Sequence, residues 1–156
     1  MSTFLFMGFG SLILLTYLFL YTQYWWISFS YFTYFLADRT VCNRGGKRWN
    51  FVREARIWVH FANFFPAKII KTCDYDTKKN YIFGYHPHGI LSAGAMAHFA
   101  TEGTGFSKLF PGLTPHLLVL QRMIMLPFVR DFFMCSGAVN ASKESMNYLL
   151  GNDRVK

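Results

Sequence analysis

The chain has 156 residues, of which 53% are hydrophobic, 20% aromatic and only 15% charged. That charged share lies far below the roughly 25% of an ordinary soluble domain, and the length allows one modest domain plus a membrane element. Net charge is +8 at pH 7, but the basic residues are dispersed among apolar aromatic runs, which argues against nucleic acid as a partner and for an anionic surface or a phosphate-rich donor.

Residues 1–37 contain no charged side chain. They lack the basic start, short apolar core and small-residue cleavage site of a secretory leader. About 20 apolar residues cross the roughly 30 Å of bilayer hydrocarbon, so the stretch is too long for one minimal crossing and marginal for two. Gln23, Tyr24, Trp25 and Trp26 sit in its middle, and Trp and Tyr favour the membrane interface. The pattern predicts a tight hairpin, or one tilted crossing followed by an interfacial aromatic helix. Arg39, Arg44, Lys47, Arg48, Arg53 and Arg56 follow, against Asp38 and Glu54, an excess that predicts a cytosolic position beyond the leader. The division expected is a membrane anchor at 1–37 and a cytosol-facing domain at 38–156.

A glycine-marked loop at 41–47 leads into an expected helix at 49–65, with Trp49, Val52, Ala55 and Val59 near one face and Arg53 and Arg56 flanking it. Pro66 ends it. Residues 67–73 read as a short strand, 74–80 as a polar turn, and 81–85 as a central strand inside a sheet. His86, Pro87, His88 and Gly89 form a tight turn, and a helix is expected over 93–101, carrying His98. Gly105, Pro111, Gly112 and Pro115 punctuate the next loop. His116 then starts an apolar segment read as a strand and a short helix, with Arg122 and Arg130 as the basic groups beside it. Cys135, Ser136 and Gly137 make a small-residue turn, and Ser142 caps a last helix closed by Gly151.

The histidine turn carries the chemistry. Pro87 keeps His86 out of helical angles, Gly89 permits a sharp turn, and side chains two apart in extended chain point the same way. An imidazole titrating near neutrality can take a proton from an alcohol or thiol that attacks a carbonyl. Three readings stay open on residues alone: catalysis, a structural pair bonded to backbone carbonyls, and metal binding. Metal is the weakest, because no cysteine or carboxylate stands near at ligand spacing. Cys42, Cys73 and Cys135 are scattered, and no base near Cys135 supports a nucleophilic role.

YIFGYHPHGILSAGA, followed by FATEGTGFSKLFPGLTPHLLVL, resembles the monoacylglycerol and diacylglycerol acyltransferase family. The likeness extends upstream through Phe64, Phe65 and Pro66 and downstream from Pro127 to Asp131, and it is closest to the 2-acylglycerol O-acyltransferase branch. It implies the N-terminal part of an α/β acyltransferase-like domain behind a transmembrane or re-entrant hairpin, in the endoplasmic reticulum membrane with its bulk facing the cytosol. It implies acyl-CoA-dependent acylation of monoacylglycerol or diacylglycerol, with acyl-CoA a co-substrate and no metal or bound redox cofactor. His86 and His88 become the catalytic pair. Pro87 and Gly89 shape the substrate-binding turn, and Arg122 and Arg130 face the phosphates of the donor. The partners implied are acyl-CoA, acylglycerol, the bilayer, and further copies or family members. A related superfamily orients its histidine with an aspartate five residues on, but here those places hold Leu91 and Ala93, so the orienting group comes from elsewhere. Full members of the family continue further, so the chain is expected to be C-terminally truncated. A truncated, non-catalytic lipid-binding or partner protein is the alternative.

Overall fold

The computed structural model describes residues 2–86 and 92–151, with side chains from residue 6 onward. The charge-free leader breaks into two helices, α1 (Ser2–Tyr21) and α2 (Trp25–Ala37). At the break, the Thr22 hydroxyl donates to the Leu18 carbonyl at 2.8 Å and accepts from the Tyr24 amide at 3.2 Å, which stops α1 and starts the turn. Ser28 of α2 donates to the Leu15 carbonyl of α1 at 2.8 Å, so the helices lie side by side.

Small residues bring α1 onto the rest of the chain. A Cβ at Gly8 would sit 2.9 Å from Leu126 Cδ1, and the Ser11 hydroxyl reaches the carbonyls of Gly8 and Pro127 at 2.7 and 3.2 Å. Among the described residues no helix is long and apolar enough to cross a membrane. The expected transmembrane or re-entrant hairpin at 1–37 is therefore corrected, and so is the multi-pass or hairpin localisation in the endoplasmic reticulum membrane that rested on it. The break at Thr22 leaves α2 with 13 residues, about 20 Å of helix against the roughly 30 Å of a bilayer core. α1 meanwhile lends its small residues to contacts with the body.

A buried ionic knot ties the end of α2 to the body. Asp38 pairs with Lys47 at 2.7 Å and with Arg130 at 3.1 Å, and Arg130 also donates to the Asp38 carbonyl. The Phe35 ring lies 5.0 Å from the same guanidinium. Next to it Asp131 accepts from the hydroxyls of Tyr31 and Tyr34, each at 2.9 Å.

The helix expected at 49–65 is two short ones, α3 (Asn50–Arg53) and α4 (Ile57–Phe64). The Arg53 carbonyl accepts from the Glu102 amide at 2.9 Å instead of continuing a helical ladder, and the Arg53 side chain turns into the interior. α5 (Ala93–Ala95) widens directly into a π-helical turn at Met96–Ala100. The Ala97 carbonyl is then shared by the hydroxyls of Thr101 and Thr104, at 2.9 and 3.3 Å. α6 (Phe106–Leu109) follows.

β1 (Leu117–Val119) pairs in parallel with β2 (Ala138–Asn140), with Leu118 opposite Val139. α7 (Gln121–Ile124) and α8 (Val129–Cys135) make the crossover, and α9 (Lys143–Gly151) closes the chain, its Ser145 amide donating to the Ser142 hydroxyl at 3.2 Å. The expected α/β class is corrected accordingly: the molecule is mostly helical, and the two short strands are the sheet among the described residues. Residues 67–73 and 81–85 pair with no strand there. A strand exists through the backbone of a partner, not through its own apolar run, and Ile82 and Phe83 remain exposed. β2 is buried throughout, and Cys42, Ile124 and Met134 close over it with Val119.

Candidate functional site

A cavity of about 1120 Å³ lies between the extended run that ends at His86, the π-helical turn, β1 and α9. Aromatic rings form part of its wall. Phe83 meets Phe99 at 6.0 Å between ring centroids, Phe99 meets Phe106 at 5.6 Å, and Tyr75 closes on Phe83 at 5.5 Å. Leu117 and Val119 of β1 and Leu149 of α9 line the opposite side. The π-helical turn places Phe99 here, and burial of Ala97 and Ala100 behind it holds the turn in place.

His86 lines this cavity and is exposed. Its approach from 81–85 is fixed by Tyr85, whose ring lies 6.0 Å from His98 and 6.1 Å from Phe99. Tyr85 places its hydroxyl directly over Gly94, where a Cβ would collide with it. Pro87, His88 and Gly89 lie outside the described residues. The two arginines are not brought together at the site. Arg122 is exposed on α7, one residue from Met123 in the cavity wall. Arg130 is 1% exposed and held by Asp38, away from the residues that line the cavity. Asp131, next to Arg130 in the chain, takes the two tyrosine hydroxyls.

His98 is buried and bonded locally, Nδ1 to the Thr104 hydroxyl at 3.1 Å, and burial lowers its pKa. Cys135 is kept as a thiol, its pKa raised first by burial and then by Asp131, which does not suit a nucleophile. Among the described residues no three histidine, cysteine or acidic side chains gather closely enough to hold a metal ion.

A second histidine of the cavity was not legible as such in sequence. His116 stands between Pro115 and an apolar run, and it read simply as the start of that run. In the structure it lines the cavity at the foot of β1, and burial, reinforced by the Arg48 charge, lowers its pKa to about 4. The signal available was its place: an imidazole directly before a half-buried strand must find a partner or face a space.

The chain's relatives agree on one lineage. The family model described as diacylglycerol acyltransferase matches residues 17–155. The chain is 42% identical over 134 residues to acyl-CoA wax alcohol acyltransferase 2 of Mus musculus, covering 86% of this chain and 40% of that protein. It is 42% identical over 151 residues to diacylglycerol O-acyltransferase 2 of Danio rerio, covering 97% of this chain and 42% of that protein. It is 40% identical over 131 residues to 2-acylglycerol O-acyltransferase 1 of Mus musculus, covering 84% and 39%. The chain thus spans about 40% of the length of these relatives. No solved structure matches it. On these matches the chain belongs to the diacylglycerol acyltransferase family.

Proposed function

We propose that the chain supplies the histidine turn and the acyl-binding cavity of an acyl-CoA-dependent O-acyltransferase, with a monoacylglycerol or diacylglycerol as acceptor. The observation that carries this is the placement of His86 in the wall of an aromatic cavity of about 1120 Å³. That exceeds the roughly 300–1,000 Å³ of ordinary ligand pockets and suits a long apolar chain. His86 accepts the proton of the lipid hydroxyl as its oxygen attacks the thioester carbonyl. The C–S bond then breaks, and the imidazolium returns the proton to the departing coenzyme A sulfur. His88, Pro87 and Gly89 complete the turn in this reading. Arg122, exposed beside Met123, is the basic group for the phosphates of the donor.

A long-chain alcohol as acceptor is the second reading. It rests on the 42% identity to the wax alcohol acyltransferase, which equals that to diacylglycerol O-acyltransferase 2 and is level with the 40% to the 2-acylglycerol enzyme. The test is transfer of a labelled acyl chain from acyl-CoA to monoacylglycerol, diacylglycerol and hexadecanol, offered side by side. Incorporation that His86→Ala and His88→Ala each abolish is the expected result. A wild-type chain that incorporates nothing but still binds lipid would be a non-catalytic lipid-binding protein instead.

A further inference from the structure

We propose that the cavity also takes a long-chain fatty acid as the free anion, its carboxylate paired with Lys79 and its chain lying along the aromatic rings. The inference rests on the lipid cavity of the acyltransferase reading above and adds a ligand that is not a substrate. Charge carries it. Among the described residues that line the cavity none is acidic, and Lys79 is the one lysine or arginine. Its side chain is exposed and stands in no ion pair among the described residues. The acidic groups next to it are already engaged. Asp74 pairs with Lys71 at 2.6 Å, and the Asp76 carboxylate accepts from the Lys78 amide at 2.9 Å.

Lys79 belongs to a different part of the wall from His86. Its neighbour Asn80 donates to the Leu150 carbonyl of α9 at 3.2 Å, whereas Tyr85, beside His86, lies on Gly94 and His98. The stretch from Lys79 to His86 spans at most roughly 25 Å, and Tyr81 and Phe83 on it line the cavity. A long alkyl chain thus finds apolar wall along its length and one cation at its end. Burial of the chain supplies the affinity. The ammonium selects the head, because it attracts a carboxylate and offers a hydroxyl no comparable gain. Since Lys79 is exposed, the carboxylate keeps part of its water, and the penalty of a fully buried ion pair does not arise. The bound anion fills the space the donor's acyl chain needs, so it competes with acyl-CoA while no bond forms or breaks.

The experiment uses the full chain at about pH 8, where a carboxylate is ionised. Hexadecanoate and hexadecanol each displace a fluorescent long-chain lipid. Lys79→Gln should weaken hexadecanoate about two- to fivefold, the worth of an exposed ion pair, and leave hexadecanol unchanged. Lys79→Arg should keep the parent affinity. Added salt should weaken hexadecanoate relative to hexadecanol in the parent and not in Lys79→Gln, because screening acts on the paired charge. This salt response needs no variant, so it decides alone if Lys79→Gln does not fold. Hexadecanoate binding unchanged in Lys79→Gln, or weakened only in Arg122→Gln, overturns the role of Lys79 and leaves the lipid cavity standing. Should neither probe displace the reporter, the cavity itself falls, and this inference with it. Binding that depends on Lys79 in a chain that transfers no acyl group would sink the acyltransferase reading alone.

Discussion

The Arg53 guanidinium meets the Glu102 carboxylate at 2.9 Å, with the arginine only 1% exposed. The same guanidinium donates to the Phe99 carbonyl at 3.0 Å and the Ser136 carbonyl at 2.6 Å. It thereby fastens α3 to the π-helical turn and to the turn before β2. Glu102 in turn accepts from the amide and hydroxyl of Ser107 at 3.0 and 2.8 Å. The cavity wall that carries Phe99 is therefore held from behind by the pairing of the buried Arg53 with the half-buried Glu102, to which Arg48 also comes within 3.9 Å.

Removing one member of that pair leaves a buried charge without its partner, a loss of about 3–5 kcal/mol. Glu102→Ala should show it as a lower urea midpoint, and the Arg53→Met/Glu102→Leu double variant should lose much less than the sum of its singles. The pair also predicts acid sensitivity. Burial pushes the Glu102 pKa up, but the hydrogen bonds from Ser107 and Arg53 and the charge of Arg53 outweigh it, so the net shift is downward from 4.5. The stabilisation is present above that value and is lost as pH falls through the depressed folded one. Glu102→Gln should flatten this acid limb of the stability curve.

Arg130 and Asp38 make the corresponding knot at the hairpin. Lys47 offsets part of the Asp38 charge at 2.7 Å. Nη1 of Arg130 is buried without a hydrogen-bond partner, so the site has little capacity for another unpaired group. Asp38→Ala should cost about 3–5 kcal/mol, and Arg130→Lys should not be neutral, because lysine cannot reproduce the planar contact with Phe35 and the two contacts to Asp38. Thermal unfolding of both variants checks this. Loss in Asp38→Ala below about 1 kcal/mol would show that the knot is not a major brace.

These two knots also mark where sequence reading stopped. The strand and short helix after His116, the turn at Ser136 and Gly137, and the final helix behind Ser142 follow from local signals, and they stand where those signals put them. Arg53 looked like a flanking charge on one long helix. Only the distant carbonyls of Phe99 and Ser136 explain why it is buried and why that helix breaks. Residues 81–85 had the apolar run of a central strand, but pairing depends on a neighbour elsewhere in the chain, which no local pattern encodes. The leader had the apolarity of a membrane segment. Its division at Thr22 is local, but the contacts of Gly8 and Ser11 with Leu126 and Pro127 are long-range facts. His86 stood out in the sequence because it opens the His-Pro-His-Gly run, and the structure puts it in the cavity wall. His116 did not, because its meaning lies in the cavity it borders.

Gly94 and Tyr85 give a prediction at the site itself. The tyrosine hydroxyl occupies the place a Cβ on residue 94 would take. Gly94→Ala should push Tyr85 aside and cost about 1–3 kcal/mol by overpacking. Since Tyr85 precedes His86, the acyl transfer proposed above should fall as well. Tyr85→Phe in the same chain removes the clashing oxygen and should recover most of both losses. A Gly94→Ala protein with unchanged thermal midpoint would show that Tyr85 moves freely.

His116 predicts a pH dependence above the carboxylate range. Burial is the main reason its pKa falls from 6.5 to about 4, with the charges of Arg48 and Arg53 acting in the same direction. Above about pH 6.5 the ring is neutral in folded and unfolded chain alike, and stability is unaffected. As pH falls from 6.5 towards 4 the unfolded chain takes the proton first, so stability drops by up to roughly 3 kcal/mol and then levels off. His98, also lowered by burial, adds a drop of the same sign. The decisive measurement is therefore the difference between the parent and His116→Gln, followed by urea unfolding from pH 7 to pH 4.5. The parent should lose stability over that interval by about one more proton's worth of slope than the variant. Parallel curves would mean that His116 is as free to ionise in the folded chain as in the unfolded one, which its burial at the foot of β1 opposes.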